Sequence, residues 1–143
     1  MARGRSYDGL EIGGLGNVEV WDYQEDMRSV HAVTDVLLMP SQWLESFGRV
    51  ILEAQASGIP VVASNLGGIP FVLGEGGILV RPKTDVEAYV SALRRLFEDP
   101  ELYDGLSRAA ARHVNRSELE TSAQVEVFLR VVEEEIEAGV ARP

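Results

Sequence analysis

Residues 40–64, PSQWLESFGRVILEAQASGIPVVAS, leave the chain little freedom of fold. Val50, Ile51, Leu52, Ala54 and Ala56 give the segment 48–57 the apolar density of one compact, buried helix. Gly58-Ile59-Pro60 stops it, because glycine suits the left-handed position after a helix and proline cannot continue one. Val61-Val62-Ala63 resumes at once as an apolar run of strand type. Ahead of Pro40 stands Val36-Leu37-Leu38-Met39, the unbroken apolar run expected of a strand covered on both faces. Strand, helix, strand with short joints is the unit of a parallel sheet.

The same stretch predicts a site. A helix that opens at Gly48 leaves the amides of Phe47, Gly48, Arg49 and Val50 without intrahelical partners. Together with the helix dipole, such a cluster favours an anion. Glu45 stands before the turn and Glu53 one turn inside the helix. Carboxylates pair poorly with phosphate but accept well from sugar hydroxyls, so the spacing suits a ligand that is part phosphate and part polyol. Glu53 has a simpler reading as an i,i+4 partner of Arg49, worth about 0.3–0.5 kcal/mol if exposed. Burying it unpaired in an apolar helix would cost several kcal/mol. Arg49 itself reads equally well as a phosphate contact or a solvated helix residue.

The rest of the chain repeats the alternation. Val18-Glu19-Val20-Trp21 alternates as a strand with one covered face, Trp21 ending it in the core. Residues 24–33 space Met27, Val30 and Val33 as a short helix. Asn65-Leu66-Gly67-Gly68-Ile69-Pro70 is a glycine turn into a helix near 69–74, with Phe71 packing, and Ile78-Leu79-Val80 makes a fourth strand. Three helices close the chain. Capping boxes are read at Thr84 with Glu87 and at Ser117 with Glu120, and an N-cap with proline at N1 at Asp99-Pro100. The predicted class is therefore α/β, a three-layer Rossmann-like parallel sheet with flanking helices. Ligands of that class sit at the carboxyl ends of the strands, where Ser41–Gly48 and Asn65–Gly68 fall. Residues 1–15 read as a flexible lead-in, 16–138 as the domain and 139–143 as a tail.

Glu45 and Glu53, separated by seven residues and followed by Ala54, Gly58 and Pro60-Val61-Val62, resemble the signature of retaining GT-B glycosyltransferases of family 4 (group 1). Pro40-Ser41, Gly67-Gly68 and Gly77 extend the resemblance from about Asn17 to Arg112. It implies half of a GT-B fold, the C-terminal, donor-binding half, truncated on its N-terminal side. It also implies transfer of a hexosyl unit from a nucleoside-diphosphate sugar to a hydroxyl acceptor with retention. By the same resemblance Glu53 holds the ribose hydroxyls and Glu45 the donor sugar, while Ser41, Phe47, Gly48, Arg49, Val50, Gly67 and Gly68 surround sugar and diphosphate. No metal or other cofactor is implied. Phe71 stands where the family commonly has an acid.

The resemblance places two further strands, the basic phosphate ligands and the acceptor domain before the segment present here. The expectation is thus a fragment, inactive alone, whose open sheet edge forms a homodimer. The alternative is a non-catalytic nucleotide-sugar-binding or remnant interaction domain.

Bulk properties exclude other classes. At 143 residues one domain is expected, burying roughly 68–70% of its unfolded surface. A net charge of −10 argues against nucleic acid. Much of the acid is Glu133-Glu134-Glu135 and Glu137, read as a solvated face. No run of about 18 apolar residues exists, the start is not a secretory signal, and cysteine is absent; a cytoplasmic setting is expected. Trp43 could stack on a base or cover the helix start, and His31 and His113 read as satisfied or exposed structural histidines.

Overall fold

The computed structural model of the chain describes residues 15–116, 125–126 and 129–134. The chain divides into two compact units, Met1–Val33 and Thr34–Pro143.

Among the described residues of the first unit there is one helix, α1 (Met27–His31), which opens on Asp26, whose carboxylate accepts from the Arg28 amide at 3.0 Å. The same carboxylate pairs with the Arg28 guanidinium at 2.9 Å. The strand expected at Val18–Trp21 does not form: those residues have no regular structure, and Trp21 is 44% exposed rather than core. Alternation supplies a strand's faces but not its hydrogen-bonded neighbour, and residues 18–21 pair with no described strand.

The second unit contains β1 (Leu37–Met39), α2 (Arg49–Ala56), β2 (Val61–Ser64), α3 (Ile69–Leu73), β3 (Gly77–Val80), α4 (Val86–Glu98) and α5 (Pro100–Val114). The described strands number three, not four, in the order β1-β2-β3, all parallel. Leu37 pairs with Val61 and Val61 with Gly77, so each strand starts level with its neighbour.

Alternation along β2 divides the core. Val61 and Ala63 face one side, where Ile51, Ala54, Ile69, Val72 and Leu73 from α2 and α3 cover them. Val62 faces the other, under Tyr89, Ala92 and Leu96 of α4. β2 is buried throughout, and helices on both faces make the three layers.

Two burial expectations are corrected. Leu38 is 43% exposed: β1 is the edge of the described sheet, and α4 lies over β2 and β3 instead. In α2 the buried residues are Ile51, Ala54 and Gln55, while Arg49 and Ala56 face water, so this helix is amphipathic rather than apolar all round. Buried Gln55 donates to Leu73 O at 2.8 Å. Gly58 ends α2 at φ 72°, in the left-handed region expected of it.

Caps set the helix starts. Asp85, not Thr84, caps α4, accepting from Ala88 N at 3.0 Å. Asp99 caps α5 with Pro100 in its first turn, as read from the sequence. Residues 129–134 are helical, and Glu133 and Glu134 are exposed there. The box at Ser117 with Glu120, Glu135, Glu137 and most of the lead-in lie outside the described residues.

Candidate functional site

Because the strands are parallel and level, the loops after β1, β2 and β3 emerge on one rim. Three contacts knit them together. Ser64, the last residue of β2, is buried and donates to Ser41 O at 2.8 Å, and its hydroxyl lies 2.8 Å from Tyr89 Oη on α4. Gln42 Nε2 donates to Lys83 O at 3.1 Å, and Lys83 Nζ returns a bond to Gln42 O. Gly68 N donates to Glu45 O at 2.8 Å.

The last contact requires glycine. A Cβ on Gly67 would stand 2.4 Å from Glu45 O, and one on Gly68 would stand 2.1 Å from Ser46 O. Both distances lie far inside van der Waals contact. Gly67 also has φ 57°, a conformation that costs other L-residues energy. The pair Gly67-Gly68 therefore lets two loops touch backbone to backbone.

That contact fixes the entry to α2. Gly48 is buried at φ 78° and caps the helix without a side-chain bond. Ile51 N reaches back to Gly48 O at 2.9 Å, and among the described residues no acceptor meets the amides of Phe47, Gly48, Arg49 or Val50. These are the donors expected of an open helix start. Phe47 is half-buried against the core, which anchors the turn. Glu45 lies beside it: a Cβ on Gly48 would be 3.5 Å from Glu45 Cγ. The structure thus brings Ser41, Glu45, Phe47, Gly48, Gly67 and Gly68 onto one rim, with Arg49 and Val50 in the first turn behind them.

Glu53 is paired. Arg49 Nε donates to Glu53 Oε1 at 2.9 Å, with side chains 85% and 35% exposed respectively. The i,i+4 pairing foreseen as the simpler reading is therefore present. In this arrangement the Arg49 guanidinium is held on Glu53 rather than extended towards the Gly48 amides. Trp43 is 86% exposed and does not cover the helix start; Phe71 is 63% exposed and does not pack.

Sequence reasoning missed His113, which is buried rather than satisfied or exposed, with Nε2 unpartnered. It also missed Ser64, Tyr89 and Lys83, which position the rim. Their pairing joins residues 23 to 41 apart, and no local spacing signals it. Among the described residues no helix is long and apolar enough to cross a membrane.

Residues 10–113 match the family described as Glycosyl transferases group 1. The D-inositol 3-phosphate glycosyltransferase of Streptomyces avermitilis is 42% identical over 102 residues, which are 70% of this chain and 22% of the relative. The chain thus spans about a fifth of the length of the curated relatives it matches. Among solved structures, Anabaena HepE in complex with UDP-glucose superposes with a TM-score of 0.72 at 24% identity, over 85% of this chain and 34% of that one. Sucrose-phosphate synthase from Thermosynechococcus elongatus gives 0.60 at 29% identity, over 79% and 28%.

Proposed function

The chain belongs to the glycosyl transferases group 1 family, and from that premise we propose that it is the C-terminal, nucleotide-sugar-binding part of a retaining GT-B transferase of family 4. The observation that supports this most is the convergence of Glu45, the free amides from Phe47 to Val50, and Gly67-Gly68 on one rim. A relative solved with UDP-glucose is consistent with a nucleoside-diphosphate sugar as ligand.

In this reading the diphosphate meets the amides after Phe47, which stabilise the charge developing on the leaving group, a contribution of the oxyanion type. Glu45 accepts from the donor sugar and Glu53 from the ribose, through the oxygen that Arg49 leaves unused. Ser41, Gly48, Arg49, Val50, Gly67 and Gly68 complete the surround. Chemistry needs no metal, and the product keeps the donor's anomeric configuration. The partner is an acceptor domain outside residues 1–143, so the isolated chain should not turn over, and the setting is cytoplasmic. The outer edge of β1 has no partner strand among the described residues, which supports a homodimer through that edge. A monodisperse monomer in light scattering at micromolar concentration would count against it.

One observation favours a domain that no longer uses a donor: Glu53 already has a partner in Arg49. Calorimetric titration of UDP, GDP, UDP-glucose and GDP-mannose separates the two. Saturable binding that Glu53→Gln abolishes supports the donor site; no heat at millimolar ligand leaves the interaction domain.

A further inference from the structure

The loop after β1 is held on both sides of a short span. On one side Ser64 Oγ donates to Ser41 O, Gln42 Nε2 donates to Pro40 O and Lys83 O, and Lys83 Nζ donates to Gln42 O. On the other, Gly68 N donates to Glu45 O at 2.8 Å. Between these ties stand Trp43 and Leu44, two large apolar side chains, both exposed. A frayed loop exposes apolar groups by accident; a loop pinned on either side presents them in one place. Leaving an indole in water forgoes one of the largest burials a side chain offers, and the core makes no use of Trp43.

What the indole can serve follows from its distance to Glu45. Two residues separate their Cα atoms by at most about 7 Å, so a ring that meets the Glu45 carboxylate is within reach of Trp43. The next step rests on the donor reading given above. A sugar nucleotide is linear: base, ribose, diphosphate, sugar. In that reading the diphosphate lies at the start of α2 and the ribose at Glu53, about 6 Å further along the helix. The base is then at the end remote from Glu45, and base stacking does not fit Trp43. The hexosyl unit is the part beside it.

A hexose carries hydroxyls around its rim and C–H groups on its faces. A carboxylate serves the hydroxyls and an aromatic plane serves a face, the usual combination of a few polar groups with an apolar wall. Glu45 and Trp43 supply one of each.

We propose that Trp43 is the platform for the donor's hexosyl ring, a specificity-determining contact that recognises the sugar and not the nucleotide. The test compares each bare nucleotide with its sugar-bearing form, UDP with UDP-glucose and GDP with GDP-mannose, on the full chain. The sequence has two tryptophans, so in a Trp21→Phe background the fluorescence reports Trp43 alone. It should change saturably with the sugar nucleotide and little with the bare one. In calorimetry, Trp43→Ala should weaken the sugar nucleotide about threefold to tenfold and leave the bare nucleotide unchanged, while Trp43→Phe keeps most of the affinity. Trp43 is exposed, so both variants should melt with the parent, which separates lost contact from lost fold. Where the parent binds, an equal effect on both members of a pair, a larger effect on the bare nucleotide, or no effect on either would overturn the platform and leave the donor rim standing. A parent that binds none of the four overturns both.

Discussion

Gly68 donates its amide to the carbonyl of Glu45 across 2.8 Å, at a separation that leaves no room for a Cβ on Gly68. The backbone there has an ordinary φ of −78°, so space, not conformation, demands the glycine. Gly68→Ala should push the two loops apart. The expected outcome is a loss of about 1–3 kcal/mol, typical of overpacking, in urea unfolding, with weaker nucleotide titration.

Gly105 is the contrasting case. It lies inside α5, and a Cβ there meets nothing within 4 Å. Gly105→Ala should raise stability by about 0.5–1 kcal/mol, because glycine loses more backbone entropy on entering a helix. Thermal unfolding of the two glycine variants side by side separates space from entropy.

Ser64 supplies the hydroxyl between Ser41 O and Tyr89 Oη. Ser64→Ala strips a bond from both neighbours and leaves the buried Tyr89 hydroxyl orphaned, a cost of about 1–3 kcal/mol. Tyr89→Phe removes a single bond and leaves Ser64 on Ser41 O, so about 0.5–1.5 kcal/mol is expected. Chemical denaturation of the two variants checks the order; an equal or reversed cost would contradict it.

Asp85→Ala should cost about 1 kcal/mol through loss of the α4 cap, and Thr84→Ala distinctly less. Circular dichroism melting distinguishes them, since only Asp85 holds the Ala88 amide.

Tyr103 donates its hydroxyl to Asp35 O at 3.0 Å. Burial, and then the charges of Asp35 and Asp104, raise its pKa above the ordinary tyrosine value. A group whose folded pKa is raised gives stability that is present below the unfolded pKa, about 10, and lost as pH climbs through the folded value. Absorbance titration should therefore show one phenol ionising late. Stability should decline above pH of about 10, less so in Tyr103→Phe.

The parts of the fold written in local pattern were legible. Gly58-Ile59-Pro60, the apolar runs of β2 and β3, and the Asp99 cap depend on neighbours in sequence, and each stands where spacing put it. The failures depend on partners far along the chain. Val18–Trp21 alternates like a strand but finds no ladder, and Leu38 is apolar yet sits at an edge beyond the reach of α4. Thr84 and Asp85 both offer a capping oxygen, and only backbone geometry chose between them. At the candidate site, Glu45 and Gly48 could be read because they cluster in sequence, and the pair Gly67-Gly68 through the family resemblance. His113 could not: its surroundings are Gly74 and Arg116, one of them 39 residues upstream.

Both crossover helices, α2 and α3, lie on one face of the sheet, and the other face waits for α4. On the ribosome, a nascent chain that has emerged only as far as Val80 has β1, β2 and β3 but leaves Val62, Ile78 and Val80 bare. Synthesis must deliver Tyr89, Ala92 and Leu96 before that side can close. This interval is when the growing polypeptide is most open to capture by chaperones or to sticking to its neighbours.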